Sequence, residues 1–324
     1  MTKIGRRQFI LMVGGAAVAR PVSSRAQSGK HIGVLLFGAP GTESNLAAFL
    51  GGLRDLGYIE GKNISIEYRY AEGKPERLRG LAAELVANKP DLIFALGGDV
   101  APSVRVATNT IPIIVAVSND PVQSGLVASL AHPGGNITGV TFVSSDLAAK
   151  RLQLLREIAP KLDHVGVIWN PDHVDPEYRE TQIAGKELGI QVQSLEARSV
   201  EDFDTAFQTA TNARIEALIP ITSRLMLTNR QRIIEFSTRH RLLLASGFGP
   251  WTNEGALLSY GPDTDASTRR AATYVDKVLH GTRPDELPIE QPTKFLLLIN
   301  RTTAKSLGLD IPPALVATAD RIID

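Results

Sequence analysis

Short apolar runs alternate with amphipathic stretches along most of this chain. His31-Ile-Gly-Val-Leu-Leu-Phe37 is a compact apolar run closed by Gly38-Ala39-Pro40-Gly41, the pattern of a buried strand followed by a turn. A helical spacing follows from residue 44 to about 56 and stops at Gly57, where a C-terminal glycine belongs. Residues 63–70 alternate as a strand does. Pro75 suits a first helical position, so a second helix is read over 75–88. Residues 91–97 give a third strand, a third helix starts near Asp99, and residues 113–117 give a fourth strand.

The same layout then recurs. His164-Val-Gly-Val-Ile-Trp169 echoes His31-Ile-Gly-Val-Leu-Leu36, and the helix after it again stops at a glycine, Gly189. Strands at 190–195, 217–221 and 242–245 enclose helices at 200–212 and 228–240. Apolar strands alternating with helices predict parallel sheets covered on both faces. Right-handed crossovers make each series an open, doubly wound Rossmann-like lobe of α/β class. Three extended segments, at 136–142, 256–260 and 287–292, are candidates for a three-strand hinge between the lobes. The expected division is residues 30–141 plus about 262–288 in lobe 1, and 142–261 plus about 289–324 in lobe 2.

Residues 1–26 follow a different rule. Arg6-Arg7 precede an apolar run from Phe9 to Ala19, then come Arg20, Pro21 and the small-residue exit Ser24-Arg25-Ala26. That is the charged, apolar and cleavable order of an export signal. The run is too short to span a bilayer, so no membrane anchor is expected. The paired arginines resemble the twin-arginine signal, with an ordinary secretory signal as the alternative. Either places the mature chain beyond the inner membrane as a soluble periplasmic protein.

Removing that segment leaves 298 residues, enough for two domains with their own cores. Of 35 Lys+Arg, five lie in residues 1–26, where no acid stands, so the remainder is net −4 against 34 Asp+Glu. No basic stripe is left for a phosphate backbone, which argues against nucleic acid as a partner. The chain has no cysteine, which excludes disulfides, thiolate metal sites and cysteine nucleophiles. The six histidines (His31, His132, His164, His173, His240, His280) show no metal-ligand spacing, so no metal is expected. Gly134-Gly135 lacks the Lys-Ser/Thr of a phosphate loop, and there is no G-x-S-x-G elbow. No cofactor and no enzymatic activity are expected.

Several motifs carry a resemblance that covers nearly all of residues 30–324. They are Leu56-Gly-Tyr-Ile-Glu-Gly-Lys-Asn63, Asp120-Pro-Val, Ser124-Gly-Leu-Val-Ala-Ser-Leu130, Pro133-Gly-Gly-Asn-Ile-Thr-Gly139, Trp169-Asn-Pro171, Ser259-Tyr-Gly-Pro262, Glu290-Gln-Pro-Thr-Lys-Phe295 and Ala304-Lys-Ser-Leu-Gly308. Together they resemble the ABC-transporter substrate-binding proteins with the type I periplasmic-binding fold, in the branch that includes members binding tryptophan and aromatic amino acids. The resemblance implies a small-molecule ligand, amino acid in class, delivered to an ABC permease driven by a cytoplasmic ATPase. A monomer is expected.

In doubly wound sheets ligands sit outside the carboxyl ends of the strands. In lobe 1 this singles out Phe37, Gly38, Ala39 and Pro40, where glycine admits backbone approach and Phe37 either stacks on a ligand or is simply core. Gly98 and Asp99 follow the third strand. Asp99 departs from the family's Gly-Thr or Gly-Ser, and it either caps a helix or favours an amine or hydroxyls. Ser118, Asp120 and Ser124 follow the fourth strand, with Asp120 as ammonium acceptor or helix cap. In lobe 2 the equivalent positions are Trp169 and Asn170, Thr222 and Ser223, and Ser246, Gly247 and Phe248. Export, two lobes, a hinge and no catalytic signature favour a solute receptor. An exported enzyme on this fold and a ligand sensor for a membrane receptor are the alternatives.

Overall fold

The structure is a computed structural model that describes residues 29–143 and 147–324. The expected export signal lies outside the described residues. Lobe 1 is built from β1 (Lys30–Leu36), α1 (Ser44–Asp55), β2 (Ile64–Tyr70), α2 (Leu78–Ala87), β3 (Leu92–Leu96), α3 (Ala101–Ala107), β4 (Ile113–Val117) and β5 (Ile137–Thr141). Its strands form one parallel sheet in the order β2-β1-β3-β4-β5. The chain then builds α4 (Leu147–Ile158), β6 (His164–Trp169), α5 (Glu177–Leu188), β7 (Gln191–Glu196), α6 (Asp202–Ala213), β8 (Ala217–Pro220), α7 (Arg224–Thr228), α8 (Arg230–Arg239), β9 (Leu243–Ser246), α9 (Pro250–Asn253) and β10 (Leu258–Pro262). Helix α10 (Thr264–Leu279) returns to the first sheet, packing on α1, β4 and β5. The C-terminal segment, β11 (Phe295–Asn300), α11 (Arg301–Leu307), α12 (Pro313–Thr318) and β12 (Arg321–Ile323), joins the second sheet. The order there is β12-β11-β10-β9-β8-β6-β7.

The apolar runs become strands because the sheets are covered on both faces, so every side chain of β3, β4 and β5 is buried. Each sheet accordingly has two cores. In lobe 1, Leu35, Ile93 and Val115 face α2 and α3, while Val34, Phe94 and Ile114 face α1 and α10. Phe49 of α1 stacks on Phe94 with ring centroids 3.8 Å apart. In lobe 2, one core lies under α4 and α5 and the other under α6, α8 and Trp251. The echoed glycines share a reason: a Cβ at Gly166 would stand 2.6 Å from Ile215 Cδ1, and one at Gly33 3.2 Å from Leu85 Cδ2.

One pairing departs from the all-parallel reading. Strand β11 runs antiparallel to β10, because the chain re-enters the second sheet after its excursion through α10 in lobe 1. The chain passes between the sheets after β5, between β10 and α10, and between Glu290 and β11. Glu290 bridges to Val140, which ties the third passage to the first. At the second passage Gly261 touches the backbone of Gly247, where a Cβ would stand 1.8 Å from the Gly247 carbonyl oxygen. That contact fixes the loop after β9 against the passage.

Candidate ligand-binding site

The carboxyl ends of the parallel strands in both lobes converge on one cavity of about 110 Å³. Lobe 1 contributes Thr42, Glu43 and Asn45 beyond β1, Leu96 and Gly97 at the end of β3, Ser118 after β4 and Phe142 after β5. Lobe 2 contributes Asp175 and Glu177 beyond β6, Thr222, Arg224 and Leu227 beyond β8, Arg230 at the start of α8, and Gly247 and Phe248 after β9. Pro262 and Thr264 line it from the second passage. The lining thus mixes apolar faces (Leu96, Phe142, Leu227, Phe248) with acids, arginines and hydroxyls, as small amphipathic ligands require.

Polar contacts across the cleft hold the lobes together. Arg224 Nη1 donates to Glu43 Oε2 at 2.9 Å and Nη2 to the Leu96 carbonyl at 3.1 Å, with the guanidinium 5.8 Å from the Phe37 ring centroid. Glu43 Oε1 also accepts the Gly38 N–H at 2.7 Å. Gly97, at φ +114°, leaves the guanidinium its room, since a Cβ there would stand 2.9 Å from Nη2. His173, buried in the loop before α5, lies 3.4 Å from Asp99 across the cleft. The Asp120 N–H donates to the Val174 carbonyl at 3.0 Å, so the lobes also share a backbone bond. This is a closed arrangement. Burial pulls His173 down, but its bond to Asp99 and the charge of Asp99 outweigh that and hold it above its ordinary value. Burial raises Asp99, and the His173 bond and charge overcome it, leaving Asp99 low.

A buried ion pair runs inward from the cavity wall. Arg151 of α4 is fully buried, with Nη2 2.5 Å from Glu177 Oε1 and Nη1 donating to the Tyr260 carbonyl at 2.9 Å. Burial pushes the Glu177 carboxyl up to about 7 against the pull of Arg151. Asp175 is raised too, again by burial, although its Oδ1 accepts the Glu177 N–H at 2.8 Å. Two carboxyls therefore face the cavity at the N-terminus of α5, where the helix dipole favours negative charge.

Of the residues singled out in the sequence, Ser118, Thr222, Gly247 and Phe248 line the cavity. Gly98 and Asp99 sit beside it against His173. Phe37 is in the lobe 1 core, and Gly38, Ala39 and Pro40 form the turn that braces Glu43 and Thr42. Asp120 caps its own turn, accepting from Val122 and Gln123, and Ser124 donates back to Asp120. Trp169 stacks on Tyr178 at 4.2 Å and donates to Ser194, while Asn170 accepts from Asp172. Ser223 caps α7 and Ser246 accepts from Phe248, both with hydroxyls turned inward. Much of the lining lies further along the chain than the strand ends. Glu43, Asp175, Glu177, Arg224 and Thr264 stand at or within two residues of the next helix start. Charged residues at those starts were the available signal. Among the described residues no group of His, Asp or Glu is arranged to hold a metal, and no helix is long and apolar enough to cross a membrane.

Comparison with known proteins agrees with this architecture. The profile of the family described as ABC transporter substrate binding protein matches residues 32–323. A tyrosine-binding protein of Clostridioides difficile is 27% identical over 284 residues, covering 86% of this chain and 81% of that protein. A conserved domain protein from Vibrio cholerae superposes with TM-score 0.85 at 26% identity, covering 90% and 99% of the two chains. An ABC domain from Streptococcus pneumoniae in complex with L-Trp superposes with TM-score 0.84 at 22% identity, covering 91% and 100%. With two doubly wound lobes of the type I periplasmic-binding fold closed over a mixed polar and apolar cavity, and a family match that spans both of them, the chain belongs to the ABC transporter substrate binding protein family.

Proposed function

We propose that this chain is the extracytoplasmic solute receptor of an ABC uptake transporter. It closes its lobes on a small amino acid with an aromatic or branched side chain and hands it unchanged to a permease driven by a cytoplasmic ATPase. The observation that carries this reading is the cavity itself, lined from both lobes and from one of the passages between them. The tyrosine-binding relative supports the ligand class. Phe142, Phe248, Leu96 and Leu227 offer the apolar faces that such a side chain needs, and the carboxyls and arginines match the charges of a zwitterion. Ligand enters when the lobes part, contacts one of them, and completes its bonds when the other swings in. Only contacts made in the closed form shift the equilibrium toward it. The periplasm is the proposed location, with the receptor acting as a monomer and without catalysis.

The test is a thermal-shift screen of the mature chain with amino acids, aromatic acids and sugars. A ligand that binds only the folded form raises the melting temperature with dose, and the rise continues logarithmically above Kd. L-Tyrosine, L-tryptophan or a branched amino acid is expected to stabilise, and small-angle scattering is expected to show a compact complex. Stabilisation by sugars alone refutes the ligand class. Turnover of the bound solute refutes the receptor reading. Phe248→Ala is expected to weaken an aromatic ligand by about 1–2 kcal/mol, five- to thirtyfold, from the lost ring contact.

A further inference from the structure

The acids of the closed cleft outnumber its cations. Arg151, Glu177, Asp175, His173 and Asp99 act on one another through a largely buried run that begins behind the cavity wall and ends across the cleft. Fully charged, that run holds three carboxylates against two cations, and one of the cations is a histidine. Asp120 presents a further carboxylate toward Asp175 from lobe 1. The other arginines at the cavity do not make up the difference. Arg224 acts on Asp99 but is paired with Glu43 at 2.9 Å, and Arg230 is paired with Glu254 at 2.6 Å. Arg151 is sealed behind Glu177 and can balance one carboxylate. Its 2.5 Å contact with Glu177 Oε1 pairs that carboxylate, as His173 pairs Asp99, which leaves the charge of Asp175 in excess. A buried carboxylate in this position either takes up a proton or finds a cation.

We infer that Glu177 and Asp175 form a cation subsite for the ammonium group of an α-amino acid, and that the bound ammonium replaces a proton which the empty closed cleft keeps on these two carboxyls. The inference rests on the solute-receptor reading and names the group that the receptor selects. Both carboxyls line the cavity, and Glu177 stands at 7% side-chain exposure. Burial already pushes Glu177 up to about 7, so near neutral pH the pair has a proton to give. An ammonium favours the ionised carboxylates and expels that proton. Affinity then falls as pH drops below 7, approaching about tenfold per pH unit for one exchanged proton. His173 works with the opposite sign, because closing it onto Asp99 takes up a proton. It must therefore be held constant or removed in the test.

The experiment uses the mature chain, stripped of bound solute, and matched pairs that differ by the amine. These are L-tyrosine against 3-(4-hydroxyphenyl)propionate and L-leucine against 4-methylpentanoate, with xylitol as a neutral polyol. Titration calorimetry at pH 7 in phosphate and in Tris separates proton release from binding heat. At least one amino acid is expected to bind, with its deaminated partner at least about thirtyfold weaker. Proton release is expected in His173→Gln, and a smaller net release in wild type, where His173 takes up part of it. It is expected to shrink in Glu177→Gln, together with the discrimination against the deaminated partner. Asp175→Asn is the second variant, should Glu177→Gln not fold. Equal affinity for an amino acid and its deaminated partner overturns the inference. So does proton release that neither variant alters, or failure of every amino acid to bind. Tight binding of xylitol with lobe closure would sink the cation subsite and leave the solute receptor standing.

Discussion

The contact between Arg224 and Glu43 is where closure can be tested by a single pair of side chains. The two stand on opposite lobes, 2.9 Å apart, at 16% and 7% side-chain exposure. Glu43→Gln is the cleanest perturbation. It keeps the shape and leaves an oxygen for the Gly38 N–H, and it sets an uncharged NH2 donor against Arg224 Nη1 in place of the carboxylate oxygen that accepted from it. In the open form both side chains reach water, so the loss falls on the closed form alone. A charge-assisted hydrogen bond is worth about 1.5–3 kcal/mol, so closure should weaken by about 2 kcal/mol, or roughly thirtyfold. If the free protein rests open, the whole loss appears as weaker ligand binding. If it rests closed, the loss appears first as a larger radius of gyration in the ligand-free state. The two readouts divide one free energy between them. Arg224→Leu, and the double variant with Glu43→Gln, isolate the pair in a double-mutant cycle, with an expected coupling of about 1–2 kcal/mol. Coupling below about 0.5 kcal/mol, with unchanged scattering and affinity, refutes the reasoning.

Three further outcomes follow from the same geometry. Gly261→Ala places a methyl 1.8 Å from the Gly247 carbonyl oxygen, and backbone cannot yield as a side-chain end can. The variant should lose about 3 kcal/mol or more in chemical denaturation and bind ligand poorly even where it folds. Phe94→Ala removes the ring stacked on Phe49 in the lobe 1 core and should cost about 3–5 kcal/mol in denaturation. Its effect on affinity should be small in the fraction that remains folded. The His173–Asp99 contact is present below the ordinary histidine value of 6.5 and is lost as pH rises through the raised value. Ligand-free scattering should therefore show a more compact molecule at pH 6 than at pH 9, and His173→Gln should reduce the difference, leaving the part that follows the proton held by Glu177 and Asp175.

Much of the fold is legible in the chain because fully buried parallel strands write themselves as continuous apolar runs. Residues 113–117 are both the expected and the observed bounds of β4, and residues 164–169 those of β6. Caps were legible for the same reason: Gly189, in the left-handed region, ends α5 where the glycine predicted. What escaped were elements whose partners are distant in sequence. Strand β11 is apolar enough to be a strand, but nothing local says that it will pair antiparallel with β10. Helix α7 escaped because five residues carry less than two turns of periodicity and Ser223 caps it through one bond. The cavity was legible as a region, through the strand ends, and less so as a set of side chains. Asp120 and Asn170 carry the right chemistry, yet each satisfies its own turn. Glu43 and Arg224 carry the chemistry that crosses the cleft, and only the relative placement of the two lobes brings them together.

The character of those crossing contacts bears on release as much as on capture. Among the described residues, each of the four apolar clusters draws on one sheet and the helices over it, and none spans the cleft. Each lobe is therefore stable by its own burial, and opening exposes little that had been driven from water. What crosses is polar: Arg224 with Glu43 and the Leu96 carbonyl, His173 with Asp99, and the Asp120 amide with the Val174 carbonyl. Water replaces each of these when the lobes part, so their net worth is a fraction of their strength in isolation. An apolar seam of the same area would bind the lobes shut whether or not a solute lay between them. Arg224 illustrates the compromise. It sits at the N-terminus of α7, where a positive charge gains nothing from the helix, and the partner that rewards its position stands on the other lobe. A receptor built this way closes with little free energy of its own, and the solute in the cleft decides whether it stays closed.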